Sequence, residues 1–287
     1  MNAGNGVFIL GAGRAGRGLS RALRASGVVV VGLHGRRVES TPDAVTSGPL
    51  PPAARSAGTI LVAVRDSQHD EALAEIARAA PSEATVVLHA SGSAEPATLA
   101  ELRAVGHACG TFHPLVPLAD PARAAALLRG AWIGVDGDEA AIARAGELAR
   151  ALGARTMHIP AGEKATYHAA AVIASNFPTV LAALAADLLV GVGIEAGEAW
   201  GAIRALMHGA VANLEGESPA GALTGPIARG DVDTVQKHLA ALSPHPATRA
   251  LYASLAAAAV EIARRGGTDE RALGEILRAV KGEGTRR

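Results

Sequence analysis

Val7-Phe8-Ile9-Leu10-Gly11-Ala12-Gly13-Arg14-Ala15-Gly16 is the stretch whose reading decides the fold. Four apolar residues running into G-x-G-x-x-G read as a strand that turns into a helix, and Leu19 and Leu23 continue one helix face at i,i+4. Gly11 permits the tight turn, Gly13 leaves the backbone open to phosphate oxygens, and Gly16 lets the helix lie against the strand. The first free N–H groups of the helix and its dipole then face a pyrophosphate. Ala12, Arg14 and Ala15 complete the phosphate loop, and a second apolar run from Val28 to Leu33 completes a dinucleotide-binding unit.

The end of that second strand selects the dinucleotide. An NAD site places Asp or Glu there to hold the ribose 2′-OH, whereas this chain has His34-Gly35-Arg36-Arg37. Two guanidiniums suit a 2′-phosphate. NADP is therefore expected over NAD, with His34, Arg36 and Arg37 at the ribose. Glu39 is the acidic residue that keeps NAD open.

Composition bounds the rest. The 287 residues are 49% hydrophobic but only 2% aromatic, so the core is expected to be built from closely packed, alanine-rich elements. Twenty-seven basic residues balance 27 acidic ones, which argues against a nucleic-acid surface. Cys109 is the single cysteine, so no intrachain disulfide or cysteine-rich metal site is expected. The ten histidines include no H-x-x-x-H or H-E-x-x-H pair, and no metal is expected. The N-terminal apolar run is a short strand rather than a signal peptide. The longest apolar stretch, Ala169 to Ile194, carries Asn176, Pro178 and Asp187 and reads as a buried helix rather than a membrane span. A soluble cytoplasmic protein is expected.

Strand patterns fall at 7–10, 28–33, 59–64, 85–89, 108–112, 131–135 and 155–159, alternating with helical patterns at 14–25, 68–80, 96–104 and 138–152. This is an α/β fold with a Rossmann-type doubly wound, mainly parallel sheet. Asp136-Gly137-Asp138 opens the helix of a closing βαβ unit. Past Pro160-Ala161-Gly162 the strand pattern stops, and helices are expected at 163–192, 195–214, 231–242, 246–265 and 268–281, with Asp231 and Thr268 as N-caps. The expected domains are 1–160, binding the dinucleotide, and 161–287, an all-α C-terminal domain.

Ligands of open α/β sheets lie across the carboxyl ends of the strands. The loops there carry Val64-Arg65-Asp66, Ser91-Gly92 and His113-Pro114, facing the nicotinamide end of the cofactor. Asp66 also reads as a helix cap. Lys164 opens the long helix beyond the boundary, with His168 one turn on and Ser175 nearly on the same stripe; Asn176 is turned away from it unless Pro178 bends the axis. The helix dipole disfavours a cation there, lowering the lysine pKa toward the range useful to a proton donor unless Glu163 offsets it. Thr224 and Gly225 could present a hydroxyl and an N–H to a substrate carboxylate, and Arg229 a charged clamp.

The glycine loop, Leu88-His89-Ala90-Ser91-Gly92, Phe112-His113-Pro114-Leu115, Lys164 through Asn176 and Leu223-Thr224-Gly225-Pro226 together resemble a bacterial family of Rossmann-like proteins with a helical C-terminal domain of unknown function. That family is similar in architecture to ketopantoate reductases, pyrroline-5-carboxylate reductases and 3-hydroxyacid dehydrogenases. In the ketopantoate and hydroxyacid enzymes a helix lysine is followed four residues on by asparagine; Lys164 matches, but His168 stands at i+4. Ser218 to Gly225 loosely resembles the substrate loop of the pyrroline enzymes. The resemblance also implies a homodimer through the helical domain. The expected activity is NADP-dependent reduction of a small oxo acid of the ketopantoate type. Lys164 is the proton donor, His168, Asn176 and His113 assist, and Ser91, Gly92, Thr224, Gly225 and Arg229 bind the substrate carboxylate. Imine reduction of a pyrroline carboxylate and a non-catalytic NADP-binding module are the alternatives.

Overall fold

The computed structural model describes residues 6–37 and 43–283. Its strands are β1 (Val7–Leu10), β2 (Val30–His34), β3 (Val45–Thr46), β4 (Thr59–Val62), β5 (Val86–His89), β6 (Cys109–Pro114), β7 (Trp132–Gly137) and β8 (Arg155–His158). The helices are α1 (Arg14–Ala25), α2 (Pro52–Arg55), α3 (His69–Ala79), α4 (Ala100–Ala104), α5 (Ala124–Leu128), α6 (Glu139–Ala151), α7 (Lys164–Gly191), α8 (Ala196–Ala212), α9 (Pro219–Ala222), α10 (Gly225–Ala228), α11 (Val232–Ala241), α12 (Pro246–Arg265) and α13 (Glu270–Lys281).

The strands form one sheet in the order β3-β2-β1-β4-β5-β6-β7-β8, parallel except for the β6–β7 pair. The doubly wound, mainly parallel sheet and the helical C-terminal region are as the sequence indicates. All four residues of β1 are buried because they alternate between two cores. Val7 and Ile9 pack with Leu19, Leu23 and Leu148 on one side, and Phe8 and Leu10 with Ile60, Leu73 and Ile76 on the other. Chain order reverses at β1, with β2 on one flank and β4 on the other, so the crevice for a ligand opens beyond Leu10 and Val62.

Two features lie beyond the hydrophobic pattern. β3 is only two residues long, and β7 runs against β6, with Gly137 in a left-handed conformation (φ +121°) where a Cβ would overlap the Cys109 carbonyl. Arg103 ties this turn down. Its Nε donates to both oxygens of Asp138, and its terminal nitrogens donate to the Pro96 and Cys109 carbonyls. Cys109 itself is fully buried, and burial raises its thiol pKa to about 11.

The chain packs as two compact units, Met1–Phe177 and Pro178–Arg287. The strand pattern stops at residue 160, but compactness divides the chain inside α7, because the first turns of that helix pack on the sheet unit. The second unit has its own core of Val235, Leu239, Val260, Leu273 and Ile276. Asp231 caps α11, its carboxylate accepting from the Thr234 N–H at 3.0 Å, as expected. The cap of α13 is Asp269, which accepts from the Ala272 N–H; Thr268 instead donates its hydroxyl to the Ala228 carbonyl.

Candidate active site

Two groups of residues meet at the carboxyl ends of the strands in the first unit. The first lines a cavity of about 1040 Å³. Gly11, Ala12 and Gly13 form one wall, Gly35, Arg36 and Arg37 a second, and Val64, Arg65 and Gln68 a third. Gly11 (φ +120°) lies so close to the Ala63 carbonyl, and Gly16 so close to the Gly11 carbonyl, that a Cβ on either would overlap backbone. A Cβ on Gly13 would meet nothing within 4 Å, so that glycine is open toward the cavity side. Arg17 holds the loop from beneath, its Nε donating to the Ala12 carbonyl at 2.7 Å. Arg14 is exposed and Ala15 half-buried at the start of α1.

His34 stands where an NAD site would have its acid, yet its ring is pinned rather than free. Nδ1 lies 2.8 Å from Thr46 Oγ1 and Nε2 3.0 Å from the Gly48 carbonyl. Arg36 and Arg37 are exposed at the cavity rim, where Arg55, Arg65 and Arg78 add positive charge against Glu71 and Glu75. Glu39 lies outside the described residues.

The second group is built around Lys164. The sequence places Lys164 at the start of the long helix; the structure buries its whole side chain. Nζ donates to the Ser91 carbonyl and to Thr111 Oγ1, each at 3.0 Å. These are its partners among the described residues, and an ammonium has three N–H groups. Burial lowers its pKa to about 8, against the opposing pull of Asp136, Glu95 and Asp66. The direction matches the expectation from the helix dipole, but burial is the main cause. The acid at the start of α7 is Glu95, not Glu163. Glu95 Oε1 accepts from the Lys164 backbone N–H at 3.2 Å and Oε2 from that of Gly162 at 3.4 Å, a carboxylate set on a helix N-terminus.

Around this lysine stand residues from strand ends, the loop after β5 and the first turns of α7. His113 Nδ1 lies 2.7 Å from Tyr167 Oη, and the rings of His113 and His168 meet edge to face at 6.0 Å. Gly92 fits between the two histidines, where a Cβ would come within 2.8 Å of His113 Nε2. Gly134 leaves the space that Tyr167 Oη occupies. Burial holds His113 down at about 4 and Tyr167 up at about 12, so both are neutral near pH 7. Ser91 Oγ accepts from the Ser93 and Ala94 N–H groups and fixes its loop. Asp66 accepts the Ser93 hydroxyl at 2.7 Å. Burial pushes the Asp66 carboxyl up, but the Ser93 and Ser91 hydroxyls outweigh that and leave it below its usual value. Beneath the lysine, Thr111 Oγ1 lies 3.2 Å from His89 Nε2, and His69 packs edge-on against His89.

The structure thus gathers Lys164, His113, His168, Ser91, Gly92 and Asp66 in one place, and adds Thr111, Tyr167, His89, His69 and Glu95, which sequence reasoning missed. Asn176 is not brought there. It lies twelve residues along α7 from Lys164, a rise of about 18 Å, and its Oδ1 is 2.8 Å from Ser175 Oγ. Thr224, Gly225 and Arg229 belong to the second unit, where they start, open and end the short helix α10.

The fold has solved counterparts. A Bacteroides fragilis protein named as an NADP oxidoreductase is similar at a TM-score of 0.72 and 22% identity, over 90% of this chain and 99% of that one. A Thermotoga maritima protein is similar at a TM-score of 0.71 and 22% identity, over 90% and 98%. The pyrroline carboxylate reductase of Plasmodium falciparum, solved with NADP bound, is similar at a TM-score of 0.63 and 13% identity, over 92% and 98%. No curated protein matches the sequence. Residues 131–278, just over half of the chain, match the model of the domain of unknown function DUF2520, and the chain belongs to that family.

Proposed function

We propose that this protein is an NADP-dependent oxidoreductase that delivers hydride to the carbonyl carbon of a small oxo acid. The observation that carries the proposal is Lys164, a buried amine with a pKa near neutrality and one N–H to spare, beside the dinucleotide crevice. The glycine loop, with Gly11, Ala12, Gly13, Arg14, Ala15 and Gly16, holds the pyrophosphate on the α1 N-terminus. Arg36 and Arg37 hold the 2′-phosphate; Val64, Arg65 and Asp66 flank the cofactor. When bound, NADPH supplies the hydride. Lys164 supplies the proton to the developing alkoxide and, in a site closed to water, a cation beside it. Ser91 and Gly92 orient the substrate, and His113 and His168 wall it.

A fluorescence titration with NADPH and NADH, followed by turnover on oxo acids including ketopantoate, tests the proposal. NADPH binding without oxidation on any oxo acid or imine would leave a non-catalytic binding module. The likeness to the pyrroline carboxylate reductase favours a second reading, reduction of a cyclic imine, whose carbon is already activated and asks less of Lys164. A pyrroline carboxylate in the same assay separates the two. Replacing Arg36 and Arg37 by Ala is expected to weaken NADPH about tenfold or more, the loss of charge-assisted hydrogen bonds, and to leave NADH within about threefold. Equal losses for both cofactors would count against these residues as the 2′-phosphate site.

We also propose that the protein is a homodimer. α7 is the one helix among the described residues long and apolar enough to cross a membrane, yet little of it is buried. In the second unit Val180, Val190, Val192, Trp200, Leu206 and Val211 are exposed, more apolar side chain than a lone chain leaves in water. Light scattering should give twice the 28.8 kDa of one chain, and Val180→Glu with Leu206→Glu should give the single-chain mass.

A further inference from the structure

We propose that His89 and Thr111 form, with His69 and an internal water, a buried proton path that returns a proton to Lys164. The inference rests on the proposed role of Lys164 as proton donor. A lysine buried from solvent that gives its proton to a bound substrate must be recharged from within the protein or wait for the site to open.

The path is laid out in contacts. Lys164 Nζ is 3.0 Å from Thr111 Oγ1, and Thr111 Oγ1 is 3.2 Å from His89 Nε2. His89 is fully buried and its Nδ1 has no hydrogen-bond partner; His69 is 4% exposed and neither of its ring nitrogens has one. The two rings meet edge to face at 5.4 Å between centroids. Three unpartnered ring nitrogens in one buried place are costly unless water joins them, and a bridging water needs two to four such partners. Beyond His69, at the start of α3, stand the exposed carboxylates Asp66 and Asp70.

Protonation is balanced along this line. With Lys164 neutral, its lone pair takes the proton of the Thr111 hydroxyl. Thr111 takes the proton from His89 Nε2, His89 takes one at Nδ1 from the water, and the water takes one from His69, which solvent resupplies. One proton enters from the solvent side and one N–H bond forms on Lys164. The path needs a histidine that is neutral in working conditions, so that either nitrogen can carry the proton. Burial first, and then the charges of Lys164, His69 and His113 against the opposing Asp66, hold His89 at about 3.

The test needs no substrate. Exchange of the Lys164 ammonium protons with water is read by ¹⁵N NMR at pH 6 in the wild type and in Thr111→Val, Thr111→Ser and His89→Gln, each checked by NADPH titration. Thr111→Val keeps the shape and loses the hydroxyl. His89→Gln keeps a hydrogen-bonding amide that cannot pass a proton. We expect exchange to slow at least fivefold in both and to stay within twofold in Thr111→Ser. A purely structural hydrogen bond predicts the reverse, since freeing the ammonium speeds exchange. Any smaller slowing, or a faster rate, in either variant overturns the path. Where a variant does not fold, the wild type decides: a long-lived internal water with cross-peaks to the His69 and His89 ring protons is expected, and its absence overturns the proposal. None of these outcomes touches the role of Lys164 itself, which turnover of a Lys164 variant reads separately.

Discussion

Lys164→Met should bind NADPH within about threefold of the wild type and lose on the order of 100-fold or more in turnover, the usual contribution of a positioned proton donor. Methionine fills much of the lysine volume, so the loss isolates the amine. The same residue sets the alkaline limb of the wild-type profile. The donor form requires the proton, so turnover should fall as pH rises through about 8, and the Met variant should lack that limb. If Lys164→Met turns over within a few fold of the wild type, the assignment of the proton donor fails.

The same substitution has a second consequence, for stability. Lysine in an unfolded chain titrates near ~10.4, and in the folded protein near 8. Below pH 8 both states hold the proton, and the folded state carries the full cost of a buried charge. Between about 8 and 10 the unfolded chain binds more protons, so wild-type stability should climb with pH across that window. The Met variant should not show this climb, and near pH 6 it should melt no lower than the wild type, although the Ser91 carbonyl and the Thr111 hydroxyl lose a partner. Melting curves at pH 6 and pH 9 check both statements.

The second large effect separates two glycines three residues apart. Gly16→Ala places a Cβ on the Gly11 backbone carbonyl, with no flexible side chain to move aside. The helix must lift from β1, and a clash of this kind costs a few kcal/mol, typically about 1–3 and more where nothing relaxes. We expect it to lower the melting temperature of the free protein by about 5 °C or more. In Gly13→Val the added Cβ meets nothing within 4 Å, so the free protein should melt close to the wild type. Its side chain takes the space of the phosphates, and NADPH affinity should fall by more than about 30-fold, roughly 2 kcal/mol. Unchanged affinity in Gly13→Val would remove the pyrophosphate from this loop.

The contrast shows what the sequence could and could not convey. β1, β4 and β5 were legible because a strand covered on both faces is a continuous apolar run, and the glycine loop because its spacing is a backbone requirement. β3 was not, because two residues make no pattern. The reversal of β7 was not, because hydrophobic alternation is the same in either direction. Within the site, the loops at Asp66, Ser91 and His113 could be placed from strand ends, and Lys164 from the start of the long helix. Thr111 and His89 read as strand interior, Tyr167 as one more helix residue, and Glu95 lies 69 positions from the backbone N–H it caps. Contacts of that kind are fixed by how strands stack in the sheet, which no local pattern records.

The buried thiol of Cys109 has a practical consequence. With its pKa near 11 and no surface exposed, it should stay silent toward maleimide and iodoacetamide reagents at neutral pH. The chain is therefore ready for site-specific labelling without removing a native cysteine. A single cysteine introduced at exposed Ser175 or Ser93 would carry one dye or spin label per chain. The Ser93 label would report on the loop that Asp66 holds, and the Ser175 label on α7, as NADPH is added.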